Sequence, residues 1–241
     1  RGAPLTPHGR RRSAAAIGQL TKTDTSEARL LATSASQLGP RSTPPVPEAR
    51  TAFRDLVVAR RGDKREATAL TNRLGMTDNP LIARQIRSRL RMLERHIKAL
   101  DRKIRETLDD DPVLKRRFAV LTSIPGIGAV AATTLIAELA EIGTCSRQQI
   151  AALVGVAPMN WDSGTLRGKR IIKGGRAPVR GALYMAAVTA VRCNPDLKTF
   201  YRRLIDSGKK PKLALTAVMR KLAILANSIL RENRLWQPNY S

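Results

Sequence analysis

Aromatic side chains are scarce in this chain: Phe, Trp and Tyr make up only 3% of its 241 residues. That argues against a protein that grips single strands by stacking bases on ring platforms. Cysteine and histidine are scarcer still. Cys145 and Cys193 lie far apart in sequence, and the only histidines are His8 and His96. Neither cysteine therefore has a second Cys or a His at ligand spacing, which argues against structural zinc and against a disulfide scaffold. Acidic residues are few as well, 19 against 44 Lys plus Arg, for a formal net charge of +25. A compact protein ordinarily keeps such self-repulsion only where a polyanion relieves it, so nucleic acid is the first partner to consider, met through its backbone or a groove. Long apolar runs are lacking too. None reaches the roughly 18 residues of a membrane span, the best candidate, Ile127 to Ile142, being interrupted by Glu138 and Glu141. The first residue is not Met, and Arg10-Arg11-Arg12 is followed by no apolar segment long enough for a signal peptide. The expectation is a cytoplasmic, nucleoid-associated protein with no membrane partner, whose true N-terminus lies upstream of Arg1.

What is present is enough apolar residue, 42%, to bury a core, and an uneven charge. Residues 113 to 241 hold 21 basic and 6 acidic side chains, against 15 and 10 in residues 51 to 112, so the polyanion surface is expected in the last half. Pro40, Pro44, Pro45 and Pro47 read as a linker, and Asp109-Asp110-Asp111-Pro112 as a second boundary. Between them Ile86, Leu90, Leu93, Ile97, Leu100 and Ile104 are spaced 4, 3, 4, 3, 4, an a/d seam that buries one stripe against a partner helix. The segment with Phe53, Leu56, Val57, Ala67, Leu70 and Leu74 is long enough to be the other arm of a helical hairpin. Such an arm is either plain bundle structure or a dedicated dimerisation or nucleic-acid grip. Beyond it the pattern predicts helices over Val113 to Ser123, Ala129 to Ile142, Arg147 to Val154, Pro178 to Cys193, Asp196 to Asp206 and Lys210 to Arg231. Only Gly155 to Arg176, interrupted by six Gly or Pro residues, resists a helical reading and is expected to be a loop or small hairpin.

Three stretches could carry chemistry. Ile124-Pro125-Gly126-Ile127-Gly128, followed by Ala131, Leu135 and Leu139 at helical spacing, has the helix-hairpin-helix pattern, whose turn offers backbone N–H groups to a phosphate without reading sequence. The same pentapeptide is also compatible with a plain turn between core helices. Next comes Asn160 to Arg180, where Arg167, Lys169, Arg170, Lys173, Arg176 and Arg180 form an anion cradle with no acid after Leu166. Ser163, just upstream, is either a turn residue or a hydroxyl placed to attack a phosphodiester whose developing charge those cations would stabilise. Finally, Asp24 and Glu27, three residues apart, either share divalent metal ions or form a capping box, and the local pattern favours the cap.

From Lys22 to about Arg231 the chain resembles the bacterial insertion-sequence transposases of the IS-one-ten type, the serine-plus-DEDD recombinases guided by a bridge RNA. The resemblance is carried by Lys22-Thr23-Asp24 with Ala28-Arg29-Leu30-Leu31-Ala32, Ile124 to Gly128, Gly155-Val156-Ala157-Pro158, Ser163-Gly164, Lys173-Gly174, Asn194-Pro195, Phe200-Tyr201, Gly208-Lys209-Lys210-Pro211 and Ala217 to Leu222. No single piece is decisive; their order and spacing are. The resemblance implies a mainly α chain in three parts: residues 1–45, the C-terminal remnant of an α/β RuvC-like domain of ribonuclease H fold with its Pro-rich linker; residues 46–112, a coiled-coil helical hairpin; and residues 113–241, an all-α transposase domain containing the helix-hairpin-helix.

It further implies Mg²⁺ as cofactor, with Asp24 matching the third acid of the family and Glu27 standing where a fourth, an aspartate, is usual. Ser163 matches the nucleophile, although Asp162 stands where the family commonly has a second serine. The first two acids and the central strands would lie upstream of residue 1. Expected partners are DNA, a guide RNA and further copies of the chain in a dimer or tetramer. The leading function is a DNA transposase or recombinase that cuts and rejoins strands through Ser163, with Ser146 and Thr165 the next candidates. A non-catalytic helix-hairpin-helix module binding DNA or RNA is the alternative.

Overall fold

Prolines and short polar side chains set where the helices begin. The computed structural model describes residue 32, residues 48–159 and residues 171–238, and the elements below lie among them. Helix α1 (Glu48–Leu74) is followed by α2 (Pro80–Asp110). Asn79 caps α2 by accepting hydrogen bonds from Leu81 N at 3.0 Å and Ile82 N at 3.3 Å, while Pro80 sits in the first turn, where no N–H partner is needed. Helix α3 (Pro112–Thr122) starts the same way, with Asp111 accepting from Val113 N at 2.8 Å and Leu114 N at 3.1 Å. The acidic run at 109–111 is thus a boundary because its last member is a cap.

The two long helices run antiparallel. Glu66 pairs with Arg89 at 2.6 Å and Arg60 with Asp101, so the partner's number rises as the residue's own number falls. All six seam residues from Ile86 to Ile104 are buried or half-buried. Along the shaft Leu70 of α1 packs with Ile86 and Leu93 of α2 as a small separate cluster. At the base Phe53, Val57, Ile104 and Leu108 join the main core. The stripe is therefore covered within the chain. Leu93, 4% exposed, tests this: Leu93→Asp together with Ile97→Asp is expected to cost several kcal/mol of hairpin stability, since a carboxylate would sit against Leu70 and Ile86. Faster limited proteolysis between residues 48 and 110 would report it, and an unchanged cleavage pattern would show that the seam is not packed in solution.

Helices α4 (Ala129–Glu138), α5 (Arg147–Val154), α6 (Ala177–Cys193), α7 (Pro195–Asp206) and α8 (Pro211–Arg231) complete the fold with α3. At its centre, α6 touches α4, α5, α7 and α8, and α8 touches α3, α5, α6 and α7. Buried alanines, Ala186, Ala187 and Ala190 on α6 and Ala223 and Ala226 on α8, let these helices approach closely. Helix α8 also corrects the search for apolar runs. Among the described residues it, not Ile127 to Ile142, is long and apolar enough to cross a membrane by length and composition, and it serves here as a core helix.

A second correction concerns the helix expected over Ala129 to Ile142, which stops at Glu138. Leu139 leaves helical geometry (φ −118°, ψ 79°), and the carbonyls freed there are taken from a distance: Arg176 donates to Glu138 O at 2.6 Å and Arg117 to Ile142 O at 2.9 Å. The glycine-rich stretch after α5 forms a small antiparallel pair, β1 (Pro158–Met159) with β2 (Ile171–Ile172), Pro158 opposite Ile172. The expected RuvC-like remnant at 1–45 and the proline linker lie, but for Ala32, outside the described residues.

Candidate nucleic-acid site

The basic loop is held at its two ends by a crossing of backbones. Gly155, with φ 76°, ends α5 in the left-handed conformation, and Gly175, with φ 71°, crosses it. A methyl group on Gly175 would lie 2.6 Å from the Val154 carbonyl carbon and closer still to the Gly155 backbone. Beside the crossing, Arg176 N donates to Leu153 O at 2.8 Å. These contacts fix where β1 leaves and β2 returns. An open cavity of about 470 Å³ adjoins them, lined by Gly155, Val156, Ile172, Arg180, Tyr184 and Met219 among others. Tyr184, 42% exposed, was not singled out from the sequence. Its signal was an aromatic side chain in a chain with only three tyrosines.

The cations expected beside this loop have different surroundings. Arg176 is half-buried, its guanidinium bridging the Glu138 carbonyl at 2.6 Å and both Glu141 carboxylate oxygens at 2.6 and 2.7 Å. The hydrogen bonds from Arg176 hold the Glu141 carboxyl below its ordinary range and push Arg176 itself up. Arg176, expected in the anion cradle, thus pairs with a partly exposed carboxylate of the same chain. Thirty-five residues separate Arg176 from Glu141, and nothing local in the sequence pairs them. Arg180 donates to Gly174 O at 2.6 Å and keeps its charge, because a carbonyl does not neutralise it. Lys173 is exposed. Ser163, Arg167, Lys169 and Arg170 lie outside the described residues, as do Asp24 and Glu27.

The glycine turn between α3 and α4 divides its work among residues. Ile124 and Ile127 are buried, and Ile127 N donates to Ile124 O at 2.9 Å. Gly126, with φ 108°, lies on α6: a methyl group there would sit 2.5 Å from the Ala190 Cβ. It is glycine because the turn packs on a helix, with Pro125 half-buried beside it. Gly128 is different. It precedes α4 without a side-chain cap, and it is exposed together with Ala129 and Val130. The first N–H groups of α4 therefore open outward from a rigid turn, an arrangement that suits a phosphate oxygen.

Among the described residues no three His, Cys, Asp or Glu side chains come together as a metal cluster. The buried side chain of Glu138 meets Arg61 at 2.8 Å and Arg54 at 3.9 Å.

A helical, strongly basic domain with an open glycine turn and a loop stitched by glycines is the class this geometry defines. Residues 119–202 match the model of the Transposase IS116/IS110/IS902 family, which bears out, in this part of the chain, the resemblance carried by the motifs. Similar proteins include the pilin gene-inverting protein of Moraxella bovis, 31% identical over 142 residues, 57% of this chain and 44% of that protein. The insertion element IS900 uncharacterized 42 kDa protein of Mycobacterium paratuberculosis is 28% identical over 61% of this chain and 38% of its own length. The insertion element IS110 uncharacterized 43.6 kDa protein of Streptomyces coelicolor is 26% identical over 71% and 42%. The chain spans less than half the length of these curated relatives.

Proposed function

We propose that this chain works in a DNA transposase or recombinase of an insertion sequence, cutting and rejoining strands through Ser163. The observation that carries the reading is the family match over residues 119–202, which runs from α3 through the glycine turn and past β1 and β2, so that Ser163 falls within it. Residues 46–112 serve on this reading as a coiled-coil arm. Residues 113–241 serve as the transposase domain with a helix-hairpin-helix at Ile124 to Gly128, and residues 1–45 belong to a RuvC-like domain. DNA is the substrate, a guide RNA and further copies of the chain are the partners, and the cytoplasm at the nucleoid is the place of action. Mg²⁺ enters only through Asp24 and Glu27.

In the reaction Ser163 Oγ forms a bond to phosphorus while one phosphodiester P–O bond breaks. The serine proton passes to a base and the departing DNA oxygen takes one up, leaving a protein–DNA phosphoester that a second strand end can reverse. Arg167, Lys169, Arg170, Lys173 and Arg180 offset the charge that grows on the phosphate oxygens, and the open first turn of α4 holds a neighbouring phosphate. The logarithm of DNA affinity is expected to fall with the logarithm of salt by about 0.9 for each loop cation that engages B-DNA. A flat salt response would refute backbone binding by the loop.

The nucleophile is tested by trapping on a nicked suicide substrate followed by denaturing electrophoresis. Ser163→Ala should keep DNA binding within a few-fold of the parent and abolish the covalent adduct. An adduct that persists would move the nucleophile to Thr165, since the Ser146 hydroxyl caps α5 by accepting from Gln149 N at 3.2 Å. Binding by a parent protein that forms no adduct would favour the non-catalytic module.

A further inference from the structure

A cleft of about 510 Å³ opens where the start of α7, the flank of α8 and the C-terminal segment meet, and it shares no residue with the loop site. At its lining is Asn194, 1% exposed. Its side-chain oxygen accepts from Leu197 N at 3.1 Å and so caps α7. That bond fixes which end of the amide is oxygen and leaves the nitrogen as a donor. The nitrogen is buried and has no hydrogen-bond partner, a state that costs roughly 1–3 kcal/mol in a folded protein. An acceptor brought in by a ligand would remove the cost.

The rest of the lining says which acceptor. Arg147, Lys221, Arg231 and Arg234 face the cleft with one acid, Asp196. Arg234 is matched by Glu232. Arg231 donates to the carbonyls of Gly143 and Cys145, which orient it without cancelling its charge. Lys221 lies over the Phe200 ring, 4.3 Å from its centre. Arg147, Lys221 and Arg231 against the single acid Asp196, together with a buried N–H donor, call for an oxygen-rich anion. Trp236, half-buried, lines the same cleft with Leu197 and Ile224, and its backbone N–H is anchored on Ser123 Oγ at 2.9 Å. An anion joined to a flat ring fits both halves of this lining.

We infer that the Asn194–Lys221–Trp236 cleft binds a single unpaired nucleotide, its phosphate against Arg147, Lys221 and the Asn194 amide and its base against Trp236. One ring serves one base here, which agrees with a chain too poor in aromatics for a stacking platform. The choice of a nucleotide among ring-bearing phosphates rests on the reading of the protein as one that acts on nucleic acid, but the test below needs no recombination activity.

The full chain with Trp161→Phe keeps Trp236 as its one tryptophan. Deoxyadenosine 5′-monophosphate should quench its fluorescence saturably, and inorganic phosphate should compete at least about ten-fold more weakly. Asn194→Asp keeps the capping oxygen and removes the donor; Lys221→Gln alters an exposed side chain and leaves the core intact. Each should weaken the nucleotide about ten-fold or more; Lys221→Gln should melt close to the parent, while Asn194→Asp should melt lower because it buries a carboxylate. If Asn194→Asp fails to fold, Lys221→Gln decides alone. Absence of saturable quenching, or quenching indifferent to these changes, would overturn the inference. Equal competition by inorganic phosphate would overturn the nucleotide in favour of a bare anion.

Discussion

Gly175→Ala is expected to lower the melting midpoint by about 10 °C. The new methyl group would meet the backbone of Val154 and Gly155, which belongs to the end of a packed helix and cannot swing aside as a side-chain tip could. Forcing the chains apart costs about 1–3 kcal/mol, and the left-handed φ of 71° adds about 1–2 kcal/mol for any residue with a Cβ. At about 2–4 °C per kcal/mol for a chain of this size, the two together give the stated shift. The neighbouring residue supplies a control. Gly174 has φ 78° but open space around its Cβ position, so Gly174→Ala should show the backbone cost alone, a loss of about 2–8 °C. Thermal melts of the parent and the two variants separate these contributions, and equal shifts would show that the crossing does not hold the loop. Because the crossing sets both ends of the segment bearing Ser163, Gly175→Ala should also reduce adduct formation more than Gly174→Ala does.

The sequence was most legible where a local rule decides the structure. Asn79-Pro80, Asp111-Pro112 and Asn194-Pro195 each join a capping side chain to a ring that fits only a first turn, and each starts a helix. The seam of α2 was legible because its period alone selects one face. Legibility failed where distant groups decide. The end of α4 depends on Arg117 and Arg176, which lie outside Ala129 to Ile142, and the placement of Arg176 depends on Glu141, 35 residues away from it in sequence. Apolar content alone does not distinguish α8 from a membrane span, since an apolar helix at the centre of a bundle and a span have similar composition. Asn194 was noticed only as part of a motif. Its cap was readable; its unpartnered nitrogen became visible only once α8 and Trp236 were in place around it.

The same dependence on distant partners gives Asn227 its expected effect. Asn227 lies on α8 at 2% exposure, accepts from Gly143 N at 2.9 Å and donates to Cys145 O at 2.8 Å, pinning the segment between α4 and α5 to the central helix. Asn227→Leu keeps the branched outline of the side chain and removes both bonds. Cys145 O keeps Arg231 as a donor, so the main loss is the stranded Gly143 N–H, and the expected cost is about 2–4 kcal/mol, a midpoint lowered by about 5–15 °C. Asn227→Asp divides the effect by pH. At neutral pH its carboxylate still accepts from Gly143 N but faces the Cys145 carbonyl with no proton to offer, in a site that disfavours charge. Burial raises the folded-state pKa of such a group, so the protein binds its proton more tightly than the unfolded chain does, and the destabilisation should shrink as pH falls and the acid regains an O–H donor. Melting curves from pH 7 to pH 5 would show the gap between Asn227→Asp and the parent narrowing while that of Asn227→Leu stays constant. Parallel curves for both variants would mean that the Cys145 bond contributes nothing and that the pin is held by Gly143 alone.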